Sequence, residues 1–182
     1  MTRKPRPLAP GTQARDDIAA MIRVDHAGEY GAVRIYEGQL AVMRDGPARQ
    51  AIQKMADGEQ RHLQTFDRLI VERRVRPTAL EPVWRIAGFA LGAATALLGE
   101  KAAFACTAAV EEVIDEHYAG QIAKLGDEEK SLRDTVTDFR ADEIAHRDAA
   151  LAQGAQEAPG YRLLSEAIKA GCRIAIALST RI

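Results

Sequence analysis

The chain has 182 residues and a formal net charge of −1, so it is long enough to bury a substantial core and has no global basic field that would suit nucleic acid. Hydrophobic residues make up 47% and aromatics only 5%, a balance that favours helices over a β-sandwich. Two cysteines, Cys106 and Cys172, are too few for a disulfide framework and read as reduced core thiols of an intracellular protein.

Residues 1–11 carry Arg3, Lys4 and Arg6 among Pro5, Pro7 and Pro10. With no apolar run they are not a secretory signal and are expected to form a flexible basic arm. Residues 12–182 are expected to form one domain. The first helix is predicted from Thr12, with the inward stripe Ile18, Ile22, Asp25, Glu29, Val33, Tyr36, Leu40 and Met43. Glu29 stands in mid-helix where the period expects an apolar residue. Asp45-Gly46-Pro47 breaks the chain and restarts it with proline at a first helical position.

The second helix runs to about Glu72, with the stripe Ile52, Met55, Glu59, His62, Phe66 and Leu69. Residues three apart share a helix face, so Glu59 and His62 can reach one metal ion. A basic link, Arg73 to Pro82, leads into Ile86–Gly99, 14 residues without a charge. That is short of the roughly 20 needed to span a bilayer. Trp84 and the basic flanks point to an interfacial segment, and Gly88 and Gly92 form a small-xxx-small spacing for close helix approach.

The third helix of the bundle is predicted from Glu100, with Phe104, Thr107, Glu111, Ile114, Tyr118, Ile122 and Leu125 facing inward. Glu112 lies about 100° away and is expected in solvent. Gly126-Asp127 ends this helix and is expected to cap the next, whose stripe is Leu132, Val136, Phe139, Glu143, His146 and Ala150. From Tyr161 a last amphipathic helix carries Arg162, Glu166, Lys169 and Arg173 on one stripe, for the bundle or a membrane surface.

Glu29 precedes Glu59 by 30 residues, and Glu111 precedes Glu143 by 32. In each half a helix with one inward Glu is followed by a helix with an inward Glu-x-x-His. The chain therefore reads as two related hairpins joined by the apolar segment. One Glu from each of two helices plus Glu-x-x-His from each of two others is the known ligand template of ferritin-like di-iron bundles. A buried bare carboxylate is very costly, so each of the four must be neutralised or must coordinate a cation. Two divalent ions would balance their charge, and imidazole ligands point to iron, manganese or zinc rather than magnesium or calcium. Asp142 is placed to brace a ligating histidine from outside, with Asp25 as a second candidate. His26, three residues before Glu29, is expected in solvent or in such an outer role rather than on the metal.

The stretch Arg23-Val-Asp-His-Ala-Gly-Glu-Tyr-Gly-Ala32 resembles the signature of the demethoxyubiquinone hydroxylases of ubiquinone biosynthesis. Arg74-Val-Arg-Pro-Thr78, Gly88-Phe-Ala-Leu-Gly92, Thr95-Ala-Leu-Leu-Gly99, Ala109-Val-Glu-Glu112 and Ala170-Gly-Cys-Arg173 resemble that family too. The resemblance implies an all-α, ferritin-like four-helix bundle acting as a membrane-associated di-iron monooxygenase. It implies two iron ions held by Glu29, Glu59, His62, Glu111, Glu143 and His146. It further implies O₂, a polyprenyl quinone substrate and NADH as a source of electrons, with Tyr118 and its neighbour His117 implicated in electron delivery. The expected location is peripheral, on the cytoplasmic face of a bacterial inner membrane or the matrix face of the mitochondrial one. Other ubiquinone-biosynthesis proteins and a second copy of the chain are the expected protein partners. Two alternatives share parts of this pattern: a ferroxidase or peroxidase of the ferritin or rubrerythrin type, and a non-enzymatic helical module at a membrane surface.

Overall fold

The computed structural model describes residues 12–182, and the side chains from Arg15 onward. The basic arm expected over residues 1–11 lies outside them. Six α-helices follow in order: α1 Thr12–Val42, α2 Pro47–Glu72, α3 Glu81–Leu97, α4 Glu100–Ile122, α5 Lys130–Ala152 and α6 Tyr161–Ser179, with no strand among the described residues. α1 packs on α2 and α4 on α5, the two hairpins read from the spacing. This is an all-α, ferritin-like bundle with α3 as the connecting helix and α6 docked on α4.

Pro47 opens α2, and the Arg49 guanidinium closes the end of α1 by donating to the carbonyls of Leu40 and Met43. Those carbonyls would otherwise lack partners at the helix end. Asp127 does not cap α5. It opens a single 3₁₀ turn, Asp127–Glu129, and its carboxylate accepts from Arg133 at 3.0 Å, so α5 starts at Lys130.

Two apolar layers frame the middle of the bundle. One contains Tyr36, Ile52, Met55 and Phe104; the other contains Ile22, Phe66, Tyr118, Leu132, Val136 and Phe139. On every bundle helix the inward carboxylate falls between these layers, because it interrupts the stripe that builds both.

α3 lies along α1, and the contact is backbone on backbone. A Cβ built on Gly88 would stand 2.9 Å from the Gly31 carbonyl oxygen, and one on Gly92 would overlap the Ile35 carbonyl. Only Gly88, Gly92 and Thr95 of α3 are buried, and Val83, Ile86, Phe89 and Leu97 face outward. No helix among the described residues is long and apolar enough to cross a membrane.

On α6 the polar stripe turns partly inward. Lys169 is 9% exposed and donates to Glu112 of α4 at 2.7 Å, and Arg173 reaches Glu116 at 3.1 Å. Glu112 is thus an ion-pair partner at the α4–α6 seam rather than a free surface charge. Leu163, Ile174 and Leu178 of α6 stand exposed instead.

Candidate metal centre

Glu29 from α1, Glu59 and His62 from α2, Glu111 from α4, and Glu143 and His146 from α5 converge between the two apolar layers. Ligand-type atoms of Glu29, Glu59, His62 and Glu143 all lie within 4.8 Å of one another. So do those of Glu59, Glu111, Glu143 and His146. Glu59 and Glu143 belong to both groups, whereas Glu29 and Glu111 each belong to one. The four carboxylate residues are at most 3% exposed, and His62 is fully buried.

Both imidazoles turn Nδ1 toward the carboxylates. His62 Nδ1 is 3.0 Å from Glu143 and 3.5 Å from Glu29; His146 Nδ1 is 2.9 Å from Glu59 and 3.5 Å from Glu143. These are close approaches without hydrogen-bond alignment. Nδ1 of both histidines, Oε2 of Glu29, Oε1 of Glu59 and both oxygens of Glu143 have no hydrogen-bond partner. Buried polar atoms are otherwise nearly always satisfied. Unsatisfied lone pairs converging from four helices, with four carboxylates to match +4, would suit a pair of divalent cations, with Glu59 and Glu143 within reach of both groups. The donor set of imidazole and carboxylate suits iron, manganese or zinc.

The electrostatics describe the same strain. Burial, then the charge of neighbouring carboxylates, pushes Glu59 and Glu111 well above the usual carboxylate range, and burial also raises Glu29. Burial opposes charge on His62, but the carboxylates of Glu143 and Glu29 override it and lift the imidazole to about 10. His146 is lifted to about 9 against the same burial by Glu143 and Glu59. For Glu143, burial is outweighed by His146 and His62, which pull it down to about 2. Without cations, burial and mutual repulsion favour protons on Glu29, Glu59 and Glu111.

The surrounding side chains cross between the two halves. Tyr36 of α1 donates its hydroxyl to Glu111 of α4 at 2.8 Å, and Tyr118 of α4 donates to Glu29 of α1. Each tyrosine stands seven residues, two turns, after the carboxylate of its own helix. Together they hold the two carboxylates that belong to one ligand group each. Asp142 contacts His62 Nε2 at 3.1 Å and also accepts from Arg61, so the expected outer brace is present on His62.

Asp25 does not brace a clustered histidine. It accepts from Gln121 at 2.7 Å and pairs with His117 at 3.1 Å, one residue before Tyr118. His26 is buried and pairs with Asp67 at 3.0 Å, away from the cluster. His117, Gln121 and Lys124 line a cleft of about 960 Å³ together with Ile18, Met21 and Val24. That cleft lies away from the Ile86–Gly99 segment. Tyr36 was legible as a stripe residue, and its role was signalled by the same spacing that puts Tyr118 after Glu111. Gly58 carried no such signal: it stands against the His146 ring, where a Cβ would make a tight contact.

Comparison with known proteins agrees with the geometry. A family model described as Ubiquinone biosynthesis protein COQ7 matches residues 16–179. The 3-demethoxyubiquinol 3-hydroxylase of Rhodospirillum rubrum is 54% identical over 91% of this chain and 78% of that protein. The human NADPH-dependent 3-demethoxyubiquinone 3-hydroxylase, mitochondrial, is 50% identical over 93% of this chain and 80% of its own length. The 5-demethoxyubiquinone hydroxylase, mitochondrial, of Saccharomyces cerevisiae is 40% identical over 100% and 87%. A ligand-type cluster assembled from four helices, and a family match over nearly all of the described residues, lead to one conclusion: the chain belongs to the ubiquinone biosynthesis protein COQ7 family.

Proposed function

We propose that the chain is a demethoxyubiquinone hydroxylase that places a hydroxyl on the ring of a polyprenyl methoxy-methyl-benzoquinone during ubiquinone biosynthesis, with residues 12–182 acting as one di-iron domain. The observation that carries this is the pair of overlapping Glu/His groups, buried and short of partners, in a member of this family. The ferroxidase or peroxidase alternative is not favoured, since the relatives are named as demethoxyubiquinol or demethoxyubiquinone hydroxylases.

In this reading Glu29 and His62 would hold one ion and Glu111 and His146 the other, with Glu59 and Glu143 available to both. Reduced iron bound there would supply electrons to O₂. The overall balance is ring C–H plus O₂, a reduced nicotinamide and a proton, giving ring C–OH, water and the oxidised nicotinamide. NADH is one candidate; NADPH is another, since the names of the human and Dictyostelium discoideum relatives carry it. The chain's own contribution is orientation and exclusion of water. Tyr36 and Tyr118 hold the outer carboxylates, Asp142 orients His62, and the apolar layers keep the centre dry. Tyr118 is proposed to act in electron delivery beside His117, which opens on the cleft.

The exposed apolar residues of α3 and α6 fit a peripheral site on a membrane, where the polyprenyl tail stays in lipid. In a bacterium that would be the cytoplasmic face of the inner membrane, and in a mitochondrion the matrix face. In this reading the ring enters between helices, beneath Ile86–Gly99. The α1–α3 seam is closed by backbone contact at Gly88 and Gly92, so its path runs beside that seam, not through it.

The test uses Glu111→Gln in cells lacking their own quinone hydroxylase. Unmutated protein should restore ubiquinone. The variant should accumulate the demethoxy quinone, with hydroxylation reduced by more than the roughly 100-fold that loss of an outer partner can cost. Normal ubiquinone with the variant would remove Glu111 from the site. Failure of the unmutated chain would overturn the functional reading.

A further inference from the structure

The two halves of the centre are built alike except at one position. The residue before Glu143 is Asp142, and it reaches across to His62 of the other hairpin at 3.1 Å. The residue before Glu59 is Gly58, and it also faces the histidine of the other hairpin. A Cβ built on Gly58 would stand 3.1 Å from Cε1 and 3.2 Å from Nε2 of His146. In the first hairpin the place of the brace is therefore taken by a residue with no side chain. Among the described residues no acceptor reaches His146 Nε2.

The settings of the two rings differ in the same sense. The His62 side chain is 0% exposed and its ring stacks on Phe139 with centroids 3.9 Å apart. The His146 side chain is 16% exposed, so only solvent can meet its outer nitrogen. An imidazole whose outer N–H donates to a carboxylate is a more basic and better oriented ligand, and losing such a partner costs about 10–100-fold in metal affinity.

Resting on the two-metal reading above, we infer that the two positions are unequal: the Glu29–His62 position binds its ion tightly and fills first, and the Glu111–His146 position binds weakly and exchanges its ion along the edge beside Gly58. The shared carboxylates Glu59 and Glu143 are already ordered when the second ion arrives, so loading is sequential.

The experiment titrates the metal-free protein with Co²⁺ under equilibrium dialysis, following the visible absorption of the bound ion. Two ions per chain should bind, with dissociation constants separated by about 10-fold or more. Asp142→Ala should weaken the tight class by about 10–100-fold and leave the weak class in place. Asp142 is 41% exposed at its side chain, so this variant should fold, as far-UV circular dichroism would verify. Independently, His146→Ala should keep one tight ion and His62→Ala only a weak one. Two ions of equal affinity, an unchanged tight class in Asp142→Ala, or a tight ion lost with His146 would each overturn the inference while leaving a two-metal centre. Fewer than two ions in the unmutated chain would overturn the two-metal reading, and the inference with it.

Discussion

A cation bound at this centre would compete with protons for the same side chains. Without metal, His62 and His146 keep their protons to about 10 and about 9, above the ordinary histidine value of about 6.5. A histidine raised by folding stabilises the fold fully below its unfolded pKa, and that contribution is lost as the pH climbs through the folded value. Glu29, Glu59 and Glu111 act in the same direction, because burial holds them above the carboxylate range and their ionisation charges the core. Glu143 acts oppositely, but its contribution is complete at neutral pH and is lost only as acid approaches about 2. The metal-free protein should therefore melt several degrees lower at pH 9.5 than at pH 7. With cations bound the histidines are neutral and the carboxylates paired, so the metal-loaded protein should lose much less over that window. Thermal scans of both forms check this; a metal-free midpoint that stayed level or rose would contradict the assignment of the raised groups.

Among the helices, α3 is the least buried by its own side chains and the most dependent on glycine. Its seat on α1 is a crossing of backbones at Gly38, Gly88 and Gly92. A methyl group at Gly92 would meet the Ile35 carbonyl, part of α1's main chain and unable to move aside. Gly92→Ala should cost about 3 kcal/mol or more, a fall in Tm of roughly 6–12 °C at 2–4 °C per kcal/mol. Gly31→Ala provides the control: nothing lies within 4 Å of its Cβ position, so it should be neutral or stabilise by about 0.5–1 kcal/mol. Equal Tm values for the two variants would mean that α3 is not seated as described. α6 is held differently, by the buried Ile168 and through Lys169–Glu112 and Arg173–Glu116, which leaves Leu163, Ile174 and Leu178 for solvent or lipid.

For the whole molecule, the feature to explain is apolar surface left uncovered on two helices that touch. Trp84 at the start of α3 donates to Ser179 at the end of α6 at 2.9 Å, and Leu91 of α3 packs in one cluster with Ile168 and Cys172 of α6. Ile86, Leu97, Leu163 and Ile174 are between 60% and 80% exposed. Such surface marks an interaction site. We expect the purified protein to sediment with anionic liposomes. Ile86→Asp with Leu97→Asp should abolish this without loss of helicity or bound metal, since neither side chain enters the core. Leu91 is unsuited to that test because it is half-buried on the cluster that contains Cys106 and Ile168. Co-sedimentation of the double variant at the unmutated level would remove α3 from the membrane face.

How much of this was legible in the sequence depends on the range of the interaction. Helical periodicity is local, so Glu29, Glu59, Glu111 and Glu143 each announced themselves by breaking an apolar stripe of their own helix. The Glu-x-x-His spacing placed His62 and His146 on the same faces. The helix breaks at Gly46-Pro47 and Gly99 were equally local. What no spacing encodes is the axial register and rotation of one helix against another. Tertiary packing alone therefore decided that Asp142 braces the histidine of the opposite hairpin, and that Tyr36 and Tyr118 exchange carboxylates. It also sent Asp25 to His117 and Gln121, and turned Lys169 inward to Glu112. The stripe on α6 illustrates the reason. Charge on a helix face predicts solvent only when no neighbouring helix offers the opposite charge, and Glu112 and Glu116 of α4 do.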